Sequence, residues 1–521
     1  MTAERAPYAI HEASHDRPPD GVFTRRDIAR ETELSCDVVV VGSGAGGSTA
    51  AAELAEAGFD VIVLEEGSFH GTPDFSARAL AMIRKLYRDG GATAALGKPP
   101  ILYQEGCTVG GSAVINGGMS WRTPERILDD WATRHGLPGL RPKLLAPYFD
   151  RVERRAHVAY QDPESIGRDN QLLKDGADKL GWAVDRNLRN QLHCAGSNNC
   201  AFGCPTGAKQ SPLATYVPRA LRFGARIYAN VKVERIVFRG TRARGVLGFV
   251  GAENGSRGPS VSVAAKLVMV ACGSIHTPAL LRRSGFRAPS GQLGRNLSMH
   301  PNLKVIALFD EEVRGWEGVH QAFQVRELAD RGVHTLAAVN VPPSIVAMGT
   351  PQIGAELGGL MAEYPKAVIA GLLCEDTNTG RVRTIAGRPV AFYDLSEKDF
   401  ANMREGAAAL CQLLLEVGAR RILLPFPELP EIRSADDVAK IRAARLARQH
   451  VEVLTVHMMG TARMGTEEAG VTDSFGRVHG AEGLVVCDAS LFPTAVAVNP
   501  CETIQTLSTR CAARVIENPP R

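Results

Sequence analysis

Two short stretches near the C-terminus hold side chains of types that can move protons. VHMMGTARMG (residues 456–465) sets His457 in a mostly apolar run, and NPCETI (residues 499–504) sets Asn499 beside Pro500. An imidazole accepts or donates a proton near neutral pH, and a carboxamide holds an oxygen through hydrogen bonds. Each also has a reading without chemistry. A histidine on an apolar run suits a hydrogen-bonded structural role, and Asn-Pro-x-Glu is a good helix start, with Asn499 as N-cap, Pro500 at the first helical position and Glu502 closing a capping box.

Three further stretches can bind. Gly42, Ser43, Gly44, Ala45, Gly46 and Gly47 match G-x-G-x-x-G between a strand (CDVVVV, residues 36–41) and an alanine-rich helix (residues 45–57) that Gly58 stops. Such glycines let a pyrophosphate approach the helix start, where free N–H groups and the helix dipole favour anions. Glu65, 23 residues beyond Gly42, ends the next strand, where a carboxylate accepts hydrogen bonds from a ribose and disfavours a 2′-phosphate. The turn GCTVGGSAVINGG (residues 106–118) is built of small residues that let backbone approach a flat ligand, or form a surface loop. HCAGSNNCAFGCPTGAK (residues 193–209) carries Cys194, Cys200 and Cys204, either plain thiols in a tight loop or three thiolate ligands.

These residues need elements to hold them. A chain of 521 residues exceeds what one core organises, so two domains sharing a cleft are expected. With 45% hydrophobic and 22% charged residues and a net charge of +4, the chain is that of a globular protein and not of a nucleic-acid binder. The first 34 residues lack the apolar run of a signal peptide, and acidic and basic residues follow Arg25-Arg26 where an export signal would be apolar. No later run is long enough to span a membrane. A cytoplasmic location is the expectation, with peripheral membrane contact left open, and eleven cysteines, an odd number, suit reduced thiols. Further strands are expected at KLVMVAC (residues 266–272) and GLVVC (residues 483–487). Alternating stretches LKVIALF, HTLAAVNV, AVIAGLL and RPVAFYDL between residues 303 and 395 point to an antiparallel sheet, followed by a helix over residues 397–418. The expected fold is α/β: a Rossmann-like dinucleotide domain with a mostly parallel sheet, assembled from residues 35–125, 205–302 and 460–521, and an α+β substrate domain with an antiparallel sheet from residues 126–204 and 303–459. Residues 1–34 form a polar tail.

From about residue 36 to 515 these segments resemble the glucose–methanol–choline (GMC) oxidoreductases. The 42–65 unit is similar to the family's FAD-binding unit. Residues 106–118 resemble its first signature, with Ala113 where a Gly, Ser or Thr is usual and Trp121 displaced by one, and GSIHTP (residues 273–278) begins a match to its second. The resemblance implies FAD held at Gly42, Ser43, Gly44, Gly47 and Glu65. It also implies Gly110, Gly111, Asn116 and Pro500 beside the flavin, Asp488 on the ribityl chain and the backbone of Val233 at the adenine. The family's covalent flavins hang on a His just before the position of Asn116; Ile115 stands there, which implies non-covalent FAD. His457 and Asn499 match the catalytic pair of the His/Asn class, which includes sterol oxidases and long-chain alcohol oxidases. That likeness implies that His457 takes the hydroxyl proton of a hydrophobic long-chain or sterol-like alcohol, that hydride passes to flavin N5, and that oxygen, a quinone or another carrier takes the electrons. The helix starting at Pro500 would stabilise the reduced flavin anion. A likeness to sugar or polyol dehydrogenases makes Cys194, Cys200 and Cys204 iron–sulfur ligands in an alternative reading; a lyase with structural FAD and a non-enzymatic flavin scaffold are others.

Overall fold

The computed structural model describes residues 9–251 and 256–520. The chain enters a first sheet at β1 (Val22–Phe23) and β2 (Thr32–Val41), turns into helix α1 (Ala45–Glu56) and returns as β3 (Val61–Leu64). After a long excursion it adds β4 (Arg226–Tyr228), β5 (Val231–Arg239), β6 (Arg242–Gly251) and β7 (Arg257–Val270), then helix α2 (Gly273–Arg283). A second sheet takes β8 (Asn302–Leu308), β9 (Phe323–Val325), β10 (Val333–Ala338) and β11 (Ala367–Cys374), is covered by helix α3 (Glu397–Glu416), and gains β12 (Leu454–Thr455). The chain then closes the first sheet with β13 (Leu484–Val486) and ends in helix α4 (Cys501–Glu517).

The first sheet has eight strands in the order β1-β4-β3-β2-β7-β6-β5, with β13 also on β7. Every pairing from β1 to β7 is parallel, as is β7 with β13, while β7-β6-β5 is an antiparallel meander. Parallel strands buried on both faces read as unbroken apolar runs, and Val38–Val41, Val61–Leu64 and Val268–Val270 are such runs, all buried. The second sheet has ten strands, chiefly antiparallel, with β12, β8, β11, β10 and β9 in its middle. Each sheet has its own large hydrophobic core.

Several boundaries differ from the sequence reading. The N-terminal segment is not wholly a tail: Val22 and Phe23 pair in parallel with Ile227 and Tyr228, and residues 1–8 lie outside the described residues. Strands Thr93–Ala95 and Ile101–Tyr103, expected in the dinucleotide domain, extend the second sheet through β12. The helices Glu125–Thr133 and Pro142–Arg155, expected in the substrate domain, pack Leu128, Trp131, Leu145 and Phe149 into the first core. RPVAFYDL does not join the large antiparallel sheet; Arg388–Phe392 forms a separate three-stranded one with Gly380–Ile385 and Arg295–Leu297. Apolar alternation specifies a strand but not its neighbour: Leu297, Val382 and Ala391 of the small sheet share the second core with the large sheet and still pair apart from it.

The first turn of α1 fits only because it lacks side chains. A Cβ on Gly46 would run into the carbonyl of Cys487, and one on Gly47 into the carbonyl of Gly42. Gly46→Ala should therefore destabilise the fold by about 1–3 kcal/mol, measured as a lower denaturation midpoint; an unchanged midpoint would mean that the α1–Cys487 approach is looser than described.

Candidate active site

A cavity of about 1930 Å³ opens between the two sheets and is lined from both. Single-ligand pockets are usually ~300–1,000 Å³, so this one has room for a dinucleotide and a second molecule. Its dinucleotide side starts at the β2–α1 turn. Gly42 (φ +96°) takes a left-handed conformation that glycine supplies without strain. Ser43 donates its N–H (2.9 Å) and Oγ–H (2.7 Å) to one oxygen of Glu65, and Gly67 N–H donates to the other (2.8 Å). Burial pushes the Glu65 carboxyl up, against three donors that favour the anion.

Gly110 and Gly111 both have positive φ, and a Cβ on Gly111 would stand 2.6 Å from the Cα of Gly44. Over Gly44 itself and over Gly273 the nearest protein atom to an added Cβ lies 3.9 and 4.0 Å away, so bare backbone faces the cavity. Asp488 accepts from Gly273 N–H (2.9 Å), Thr277 Oγ–H (2.6 Å) and Ser490 N–H (2.8 Å), which ties the turn after β7 to the turn after β13. Val233 borders the cavity next to a bulge in the β5–β6 ladder, a distortion that frees backbone groups from strand pairing. A glycine cradle, a ribose-height carboxylate and an open helix start fit FAD.

The other wall brings His457 and Asn499 together. The Asn499 amide nitrogen lies 3.4 Å from His457 Nε2, and both side chains border the cavity. Asn499 is therefore not the N-cap: α4 starts at Cys501 with Pro500 as its cap residue and no side-chain cap. Nor does Glu502 close a capping box. Its carboxyl is buried, and burial with Glu153 alongside raises its pKa. Pro500 and Cys501 line the cavity, so the helix start does face it.

Behind His457 stands His300, which the sequence reading missed. The rings meet edge-on with Nδ1 to Nδ1 at 3.2 Å, and Ala497 N–H donates to His300 Nε2 at 3.2 Å. A backbone N–H can only donate, so His300 carries its proton on Nδ1 and gives it to His457 Nδ1. A neutral His457 then keeps its own proton on Nε2, facing Asn499 with the amide turned to present oxygen. Burial lowers the His457 pKa to about 4, so the ring is neutral near pH 7. Asp376 accepts from the backbone N–H groups of Met299 (2.7 Å) and His300 (3.3 Å), fixing the segment that carries the second imidazole.

Asn116 lies at the cavity edge on a strip held from beneath by two buried cations. Lys209 donates to the carbonyls of Val114 (2.7 Å), Asn116 (2.9 Å) and Cys200 (2.6 Å), and Arg189 to those of Gly117 and Gln321. Among the described residues no three His, Cys, Asp or Glu side chains, Cys194, Cys200 and Cys204 included, gather as a metal site. The Cys200 sulfur instead accepts from Gln191 Nε2 at 3.2 Å, and Cys204 turns to Thr206.

Comparison with known proteins agrees with this architecture. Two models described as GMC oxidoreductase match residues 83–302 and 378–508, and one described as an NAD(P)-binding Rossmann-like domain matches residues 40–75. A GMC-type oxidoreductase of Mycobacterium tuberculosis is 36% identical over 92% of this chain and 76% of its own length. A long-chain-alcohol oxidase of Arabidopsis thaliana is 30% identical over 96% of this chain and 70% of its own. The crystal structure of pyridoxine 4-oxidase from Mesorbium loti superposes with a TM-score of 0.70 at 19% identity, over 92% of this chain and 99% of that one.

The hydrogen-bond chain from Ala497 fixes where the resting proton sits. Nitrogen–proton NMR of histidine-labelled protein should show His457 protonated on Nε2 and His300 on Nδ1 at neutral pH; a His457 protonated on Nδ1 would mean that Ala497 does not set the pair.

Proposed function

This chain belongs to the GMC oxidoreductases and is an FAD-dependent oxidoreductase, and from that premise we propose that it oxidises a hydrophobic primary alcohol to the aldehyde, with His457 as proton acceptor and Asn499 as the group that holds the alcohol oxygen. The juxtaposition of His457 Nε2 and the Asn499 amide on the cavity wall carries the reading. The choice of a long-chain alcohol rests on an apolar wall that includes Val339, Ile345, Val346, Leu373, Leu424 and Val453, and on the likeness to the Arabidopsis enzyme.

Gly42, Ser43, Gly44, Gly47, Glu65, Gly110, Gly111, Val233 and Asp488 would hold FAD, which would supply the hydride acceptor, with oxygen, a quinone or another carrier as the final electron acceptor. The protein's own part is proton handling and placement. An alcohol oxygen that enters between His457 and Asn499 replaces their mutual contact with two hydrogen bonds to itself, which orients the carbinol carbon. Base action at Nε2 proceeds from the less favoured tautomer, in which His457 Nδ1–H donates to His300 Nδ1 and His300 releases the N–H of Ala497. Burial keeps the imidazole uncharged, and a neutral ring in a dry site is the form able to accept a proton. Asn116, fixed by Lys209, and Pro500 at the start of α4 border the same space. Ile115, standing where the family's covalent flavins have their histidine, supports non-covalent attachment of FAD.

His457→Ala should slow flavin reduction by about a hundredfold or more; an unchanged rate removes His457 from the mechanism. Protonation of His457 abolishes the base, so kcat/KM should hold steady as pH falls from neutrality and drop only near its pKa of about 4, whereas an acid limb near the ordinary 6.5 would contradict the buried base. Acid precipitation should release all flavin into the supernatant; yellow protein in the pellet would show a covalent link.

A further inference from the structure

The cavity floor on the substrate side is the inward face of three adjacent strands. Strand pairing sets its rows: Asn302 with Leu373 and Thr335, Lys304 with Gly371 and Ala337, and Ile306 with Ile369. All of these side chains or backbones border the cavity. Lys304 is the cation in this face. Its side chain lies across Gly371, where an added Cβ would stand 3.5 Å from Nζ; a glycine at that position leaves the space the lysine occupies.

Lys304 is half-buried and differs from the fully buried cations near the cavity. Arg189 and Lys209 spend their donors on named carbonyls. Among the described residues the Lys304 ammonium has neither a hydrogen bond nor an ion pair, and no charged neighbour offsets the burial that lowers its pKa to about 8. Two residues nearer His300 on the same face, the Asn302 side chain is 7% exposed and its amide oxygen is buried without a partner. Its amide N–H groups donate to no described residue and are left toward the cavity that Asn302 borders. An ammonium without a partner in a low-dielectric wall is costly, and a single anion placed against it and the neighbouring amide N–H groups removes that cost.

We infer that the natural substrate is an alcohol that also bears a carboxylate, held by Lys304 and Asn302 while its hydroxyl end lies at His457 and Asn499. This deepens the alcohol-oxidation reading of the same site and rests on it. One ammonium with one amide suits a singly charged carboxylate; no arginine fork or helix start stands at that spot to match a phosphate. At no more than about 3.6 Å per residue, Asn302 lies within ~7 Å and Lys304 within ~14 Å of His300 along the chain, and the His300 ring touches His457. Leu373, paired with Asn302, is an apolar neighbour in that interval, and the spacing describes an ω-hydroxy acid with a medium methylene chain. Oxidation removes a hydride and a proton from the carbinol end and leaves the carboxylate unchanged.

Two measurements on the FAD-loaded enzyme decide it. Calorimetric titration with decanoate should show saturable binding that weakens tenfold or more in Lys304→Met and recovers in Lys304→Arg; equal binding by Lys304→Met overturns the inference whether or not any alcohol is turned over. In steady state, kcat/KM for ω-hydroxydecanoate relative to decanol should exceed one in the wild type and fall at least tenfold in Lys304→Met. A ratio that does not move means the lysine serves something other than the substrate's far end, and the inference fails while alcohol oxidation stands. Failure of both alcohols to reduce the flavin sinks the alcohol-oxidation reading itself, and with decanoate still bound through Lys304 it separates the two.

Discussion

The site depends on backbone meeting backbone at the ends of the parallel strands. Gly42 lies against the carbonyl of Ala271, Gly46 against that of Cys487, and Gly111 against the Cα of Gly44. These contacts gather the turns after β2, β7 and β13 and the 110–114 turn around one point. Hydrogen bonds then use the arrangement: Glu65 can receive Ser43 and Gly67, Gly110 N–H can reach Ser43 Oγ, and Asp488 can hold Gly273 and Thr277. A side chain at any of the three glycines would have to separate turns that carry both the cradle and the helix starts facing the cavity. Nucleotide binding is thus set by what is left out of the packing.

Electrostatics around the cavity follow from burial more than from pairing. His457 is held neutral, Glu502 is driven toward its protonated form, and Arg189 and Lys209 sit on carbonyls with no acidic side chain as counterpart. The two cations pin residues 114–117 from below, so the strip that carries Asn116 is fixed by directed bonds to its backbone, and the Asn116 side chain accepts from Gly118 N–H within it. The ion pairs of the exterior contribute little by comparison, being exposed and screened.

Much of the dinucleotide side was legible in the sequence because its signals are local. Gly42 to Glu65 spans one strand, one helix and one strand, and each residue's role is set by its immediate neighbours. The substrate side was less legible because its contacts are distant. His300 and His457 are 157 residues apart, and Ser298-Met299-His300-Pro301 has no local feature that marks the imidazole; only the pairing of β8 with β12 brings the two together. Asn499 shows how local rules lose to tertiary ones. The pattern Asn-Pro-x-Glu favours a cap, but the amide is placed beside an imidazole, and the helix begins one residue later than the cap reading requires. Lys304 lies in the alternating stretch LKVIALF, where nothing local marks its face as the one that borders the cavity.

The loop before α4 joins these threads. Ala497 has φ +58°, a left-handed conformation that costs an alanine free energy, and it is buried, so packing must hold it there. In that posture its N–H reaches His300, and two residues on, the same loop delivers Asn499 to the other side of His457. One strained turn therefore sets the proton on one nitrogen of His457 and the hydrogen-bond partner on the other. Because α4 packs against α1, the turn is also anchored to the glycine-tight start of the dinucleotide unit. Proton placement at the substrate wall and cofactor binding at the opposite wall are then consequences of the same helix pair, and a change in that packing alters both at once.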